Sequence, residues 1–189
     1  MSKITTLSGK TFDVFNFKEE DVESADILIS LNNICRYGGR CLRFYSVAQH
    51  VLHLTQYFIN RGDTELAKIA ILHDACEAYI GDIIWPIKKE IPVFEELETT
   101  ISNIIFNKYK VDISRFEEFN WYDKNIVVNE MKVLGLYNTN AHLLEESNLV
   151  GIDDYSIDYI ANTQLVISAL ALAWIDLLNE VPNLNIKNR

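Results

Sequence analysis

The chain is poor in the residues that interrupt regular structure. Of its 189 residues only 7 are glycine and 3 proline, too few for a sandwich or barrel built on many tight turns. No tract is low in complexity and no motif returns at a fixed period, which excludes solenoids and propellers. Cysteine is scarce as well. Cys35, Cys41 and Cys76 form neither a CxxC pair nor a disulfide framework, and are expected to be core thiols in a reducing, cytoplasmic setting. Positive charge is in short supply, with 17 Lys and Arg against 27 Asp and Glu, and a net charge of −10 disfavours nucleic acid polymers and anionic membranes as partners. Long apolar runs are missing too. The greasiest stretch, Leu165 to Leu178, is shorter than a bilayer requires and contains Asp176, and the first residues carry no apolar leader, so a soluble protein is expected.

What is present is a globular composition, 49% hydrophobic and 23% charged, which suits a single domain over residues 1–189 that buries about 70% of its extended surface. The apolar spacing is mostly helical and predicts a compact all-α bundle. Residues 1–17 alternate weakly around Gly9, which suits a short strand pair or an extended lead-in. Helices are expected over 19–33, 47–60, 65–80, 93–109, 116–137 and 158–180. Ser46 to Gln49 reads as a capping box at the second of these, and Gly81 as the residue that ends the third. Residues 142–155 read as an acidic, exposed loop containing a solvent-facing His142. The last helix is apolar on more than one face, so it is either central to the core or meets a second copy, and a homo-oligomer is expected.

The third helix carries the chemistry. His73 and Asp74 are adjacent, Glu77 follows one turn later, and Asp82 lies just past the helix end. Charged groups set in an apolar helix need a cation or a hydrogen-bond network, and a divalent metal meets that need most simply. Successive helical residues point about 100° apart, so other helices must complete a shell. His50 supplies the third ligand and Asp123 the fourth, with His53, one turn from His50, as a competing ligand or a core residue.

These residues carry a resemblance. The series His50, His73-Asp74, Asp123 resembles the metal site of the HD-domain phosphohydrolases, an all-helical superfamily of metal-dependent phosphatases and nucleotide hydrolases. The surrounding text strengthens it: Phe44-Tyr45-Ser46-Val47-Ala48-Gln49-His50, then Leu72 to Asp82, then Pro86-Ile87-Lys88, with Arg36-Tyr37-Gly38-Gly39 before them and Glu130 seven residues after Asp123 on the same helical face. It spans about Ser8 to Glu130 and is similar to small single-domain bacterial 5′-deoxynucleotidases and phage deoxynucleoside triphosphohydrolases.

The resemblance implies that His50, His73, Asp74 and Asp123 hold a divalent ion such as Co, Mn, Zn or Mg, with Glu77 positioning water or moving its proton. Asp82 would bind a further ion through water or protonate the leaving oxygen. Without it, Glu77 reads as a surface carboxylate paired with Lys88 or Lys89. Arg36, Arg40, Arg43 and Lys88 are the candidates for phosphate contacts, Tyr37 for stacking on a base or sugar, and Trp85 for a pocket wall or core. Each also has a bland reading, as solvated or packed side chains. The expected activity is deoxynucleoside triphosphate hydrolysis, with dATP preferred on the resemblance alone, that releases nucleoside and triphosphate. A 5′-deoxynucleotidase is the first alternative and a non-catalytic nucleotide-binding protein the second.

Overall fold

The computed structural model describes residues 3–138, 148–153 and 155–184. The alternation around Gly9 becomes a hairpin: β1 (Lys3–Thr5) pairs antiparallel with β2 (Thr11–Asp13), Ile4 opposite Phe12. Gly9, at φ +87°, takes the left-handed conformation in the turn. Phe12 and Phe17 fold beneath it onto Tyr79, with ring centroids 5.4 and 4.8 Å away, and tie the hairpin to the helices.

The helix expected over 19–33 is divided. A single 3-10 turn (Glu19–Asp21) precedes α1 (Ser24–Asn33), because Val22 and Glu23 are extended and the Glu23 amide donates to the Tyr79 hydroxyl at 2.9 Å. A tertiary bond thus overrides local helix propensity. α2 (Val47–Asn60) begins where expected, with Ser46 Oγ accepting from the Gln49 amide, a cap worth about 1 kcal/mol. The reciprocal half of the capping box does not form, since neither amide atom of the Gln49 side chain has a partner among the described residues. α2 buries Val47, Ala48, Val51, Leu52, Leu54, Tyr57 and Phe58, nearly its whole circumference, and α1, α3 (Thr64–Leu72) and the last helix pack around it.

The helix expected over 65–80 is where sequence and structure part most. α3 stops at Leu72, residues 73–76 wind more tightly, and α4 (Glu77–Ile80) resumes the helix before Gly81 ends it. The tight stretch is made by three-residue bonds, Ala75 N to Leu72 O and Glu77 N to Asp74 O, each 3.0 Å. The Ala70 carbonyl, which a continued helix would offer to the Asp74 amide, accepts instead from the His73 ring at 2.7 Å.

Four further helices are described in full: α5 (Trp85–Lys88), α6 (Pro92–Tyr109), α7 (Phe116–Val133) and α8 (Thr163–Leu178). α7 ends short of the expected Tyr137, and α8 starts later than the expected residue 158, at Thr163, capped by Asn162, whose side chain accepts from the Gln164 amide. α8 buries Val166, Leu170, Trp174 and Leu177 but leaves Leu165 and Leu172 exposed, so α2 is the central helix. Of the three cysteines expected in the core, only Cys76 is buried. Cys35 and Cys41 sit half-exposed in the turn before α2. His142 lies outside the described residues. The described end of its segment is exposed at Asn148, Val150 and Asp153 but anchored between and beyond them: Ile152 is buried, its amide donates to Asn129 Oδ1 at 2.8 Å, and the Tyr155 hydroxyl donates to the His53 carbonyl at 2.7 Å. No described helix is long and apolar enough to cross a membrane.

Candidate metal centre

Three parts of the fold meet at one point. α2 brings His50 in its first turn, the tight stretch after α3 brings His73 and Asp74, and α7 brings Asp123. His50 Nε2 lies 3.1 Å from His73 Nε2 and 3.0 Å from Asp123 Oδ1, and His73 Nε2 lies 3.1 Å from Asp74 Oδ2. The remaining His-to-carboxylate gaps are 3.6 and 3.7 Å. Two ligands about 2.1 Å from one ion at 90–109° stand roughly 3.0–3.4 Å apart. The three shorter gaps match the edges of such a coordination shell, and the two longer ones exceed them by a few tenths of an ångström. His50, His73 and Asp74 each offer an atom within 4.8 Å of the others, and Asp74 Oδ2 is buried without a hydrogen bond of its own. An orphaned buried carboxylate oxygen is what a cation satisfies.

The histidine tautomers fit the same reading. His73 Nδ1 donates to the Ala70 carbonyl at 2.7 Å, and His50 Nδ1 to Glu130 Oε1 at 2.6 Å. A carbonyl and a carboxylate only accept, so each ring carries its proton on Nδ1 and turns Nε2 to the cluster. His50, His73 and Asp74 together fit a divalent cation, with Asp123 beside His50. They also attract a proton. Burial and Arg36 push the His50 imidazole down, but Glu130 and Asp123 outweigh them and raise its pKa to about 9. Burial pushes the Asp74 and Asp123 carboxyls up, yet the facing imidazoles hold both below the usual carboxylate range.

Glu130, on α7, is fully buried beneath the cluster. It accepts from His50 Nδ1, Tyr45 Oη at 3.0 Å, Arg36 Nε at 3.2 Å and the Tyr37 hydroxyl. Despite its burial, these donors keep its pKa well below the usual value. The sequence signal for Glu130 was its seven-residue spacing from Asp123, which gave its face but not its partners.

The other candidate residues divide. Arg36 reaches the site edge, with Nη1 3.7 Å from Asp74 Oδ2. Tyr37 holds a left-handed backbone at φ +59° and gives its hydroxyl to Glu130, so that hydroxyl is engaged within the protein. Glu77 is buried, not a surface carboxylate. Burial, then Asp74 and Asp82, raise its pKa well above normal, and Oε2 has no hydrogen-bond partner among the described residues. Burial likewise raises Asp82. Lys88 pairs with Glu98 of α6 at 2.8 Å, neither with Glu77 nor free in solvent, and nothing in the local sequence marked Glu98 as its partner. Arg40 folds back over Gly38, and Arg43 lies over the Tyr159 ring at 5.2 Å; neither forms an ion pair among the described residues. Trp85 is exposed, not core, with the Lys89 ammonium 5.1 Å over its ring. His53 is buried and stacked parallel to Tyr45 rather than joined to the cluster, and burial lowers its pKa to about 4.

Among curated proteins the chain is similar to the uncharacterized protein YfdR of Escherichia coli (strain K12), 37% identical over 136 residues that make up 72% of this chain and 74% of YfdR. An uncharacterized protein of Rhodobacter capsulatus is 37% identical over 90 residues, 45% of this chain and 46% of its own length. No family model matches the chain.

Proposed function

Since the chain belongs to the family of Escherichia coli YfdR, we propose for it an activity read from its own site: that of an HD-type, metal-dependent phosphohydrolase of deoxynucleotides. The preferred substrate class is the deoxynucleoside triphosphates. The observation that carries this reading is the set of donor atoms on His50, His73, Asp74 and Asp123 at coordination-edge spacing, with both Nε2 atoms turned inward. A divalent cation held by these four residues would polarise a phosphoryl oxygen and acidify a water.

The chain's own residues supply the rest. Glu77, its pKa raised well above the usual carboxylate value by burial and by Asp74 and Asp82, is suited to carry a proton. It hands that proton to the departing 5′ oxygen as the bond from the α-phosphorus breaks, and recovers one from the attacking water. Asp82, raised in the same way, is the second candidate donor. Arg36 spends its Nε on Glu130, which leaves its Nη groups to donate to phosphate oxygens. Lys88 meets the outer phosphates by exchanging Glu98 for them. The products are a deoxynucleoside and triphosphate, with dATP favoured on resemblance alone.

One observation favours the monophosphate reading. Arg40 lies against Gly38 and Arg43 over the Tyr159 ring, whereas Arg36 and Lys88 are the basic candidates that act on Asp74 and Glu77, which leaves two cations for the extra phosphates. Incubation with Mn²⁺ or Co²⁺ and each deoxynucleoside mono- and triphosphate, with the products resolved, decides between them. Free triphosphate is expected from dATP. Inorganic phosphate from dAMP alone would favour the 5′-deoxynucleotidase. Binding without turnover of any nucleotide would leave a non-catalytic binding protein, and an Asp74→Ala variant with full activity would overturn the metal assignment.

A further inference from the structure

Glu130 touches neither the proposed ion nor the substrate, yet it joins the groups that do. Its two oxygens divide the work. Oε1 accepts from His50 Nδ1 at 2.6 Å and from the Tyr45 hydroxyl at 3.0 Å, while Oε2 accepts from Arg36 Nε at 3.2 Å and from the Tyr37 hydroxyl. The side chain is fully buried, so no water competes for either oxygen. Four donors on two acceptor oxygens fix the carboxylate in place. His50 and Arg36 come from separate parts of the chain, the helix α2 and the turn that precedes it, and Glu130 is their common partner. Tyr37 lies between them in a left-handed conformation unfavourable for a residue with a Cβ, and the bond to Glu130 holds it there.

We infer that Glu130 is a positioning residue: through Oε1 it fixes the His50 ring with Nε2 toward the cation, and through Oε2 it aims the Arg36 guanidinium at the edge of the same site. This rests on the metal site proposed above. A carboxylate behind a ligating histidine fixes both the tautomer and the ring orientation, and its removal weakens metal binding by about 10- to 100-fold. A glutamine in its place cannot serve all four donors. Its amide nitrogen would face either Arg36 Nε, donor to donor, or His50 Nδ1, which would then have to give up its proton and place one on Nε2.

The test is calorimetric titration of the full chain with Co²⁺ alone, for wild type, Glu130→Gln and Glu130→Asp, with the melting temperature of each metal-free protein as the folding control. Glu130→Gln is expected to lose about 10- to 100-fold in Co²⁺ affinity while remaining folded. Glu130→Asp keeps the charge but withdraws it by one methylene, and is expected to lose a comparable amount. Wild-type affinity in folded Glu130→Gln would overturn the inference, and so would wild-type affinity in Glu130→Asp, which would reduce the role to charge. If wild type itself binds no Co²⁺, the metal site fails instead, and the two failures are distinguishable. Should the variants not fold, nitrogen NMR of Zn²⁺-loaded wild type decides. A proton on His50 Nδ1 with Nε2 unprotonated supports the role, and the opposite tautomer overturns it.

Discussion

At the scale of single residues, the side chains that meet at the candidate centre were legible and their support was not. His73-Asp74 followed by Glu77 stood out because charge in an apolar helix must be balanced locally, and His50 and Asp123 followed from the need for further ligands. Glu130 and Glu98 were harder to read because their partners lie 80 or more residues away, or across a proline turn, and spacing along one helix does not encode them. His53 shows how one histidine among several is sorted by burial. Its folded pKa, lowered by burial to about 4, lies below the unfolded value of about 6.5, so the unfolded chain takes up the proton first as pH falls. Its contribution is complete above 6.5 and declines by about 1.4 kcal/mol for each pH unit down to 4. Glu77 and Asp82, raised by burial, run the other way over part of that range, whereas the depressed Asp74, Asp123 and Glu130 act only nearer pH 4 and below. The informative quantity is therefore the difference between wild type and His53→Leu. Urea unfolding at pH 7 and pH 5 is expected to show wild type losing about 2 kcal/mol relative to the variant. Parallel pH dependences would contradict a neutral, buried imidazole.

At the scale of elements, the positions of the helices were readable from apolar period, and most ends fell within a few residues. The break at 73–76 was not. Ala75, Cys76 and Tyr79 are all buried, so the apolar pattern runs through the turn as though the helix continued, and only the His73 ring's claim on the Ala70 carbonyl separates the two. Glu19–Asp21 was likewise drawn off the helical path by a bond that only the folded molecule makes, Glu23 to Tyr79. Gly81, by contrast, was legible as a helix end, and its conformation gives the prediction. At φ +82° and ψ 162° it occupies a region that side chains essentially do not enter, while a Cβ there would meet no atom within 4 Å. The cost of Gly81→Ala is therefore backbone strain alone, about 1–3 kcal/mol. Gly62, at φ +71° in the turn between α2 and α3, also has open space around it, and there alanine costs about 1–2 kcal/mol. Denaturant midpoints are expected to fall further for Gly81→Ala than for Gly62→Ala. Equal midpoints would mean that the segment leading into Asp82 relaxes freely, and with it the placement of that carboxylate.

At the scale of the whole molecule, a net charge of −10 argues against polyanion partners while leaving room for a small anion drawn to a local cation site. Part of that charge, Asp74 and Asp123, is concentrated at the candidate metal centre, where the two carboxylates face two imidazoles. The ligands are also far apart in sequence: 23 residues separate His50 from His73, and 49 separate Asp74 from Asp123. An unfolded chain does not hold them together, so a cation that bridges them binds the native state and stabilises all of it. At 100 times its dissociation constant such an ion adds about 2.7 kcal/mol. For a chain of this size each kcal/mol raises the melting temperature by about 2–4 °C, so Mn²⁺ or Co²⁺ is expected to raise it by about 5–10 °C and a chelator to reverse the shift. The comparison that matters is with His73→Ala, which removes the ligand supplied by the tight stretch after α3. A shift that survives in this variant would place the ion elsewhere on an acidic surface, whereas a shift present in wild type and lost here would locate the ion where α2, α3 and α7 converge.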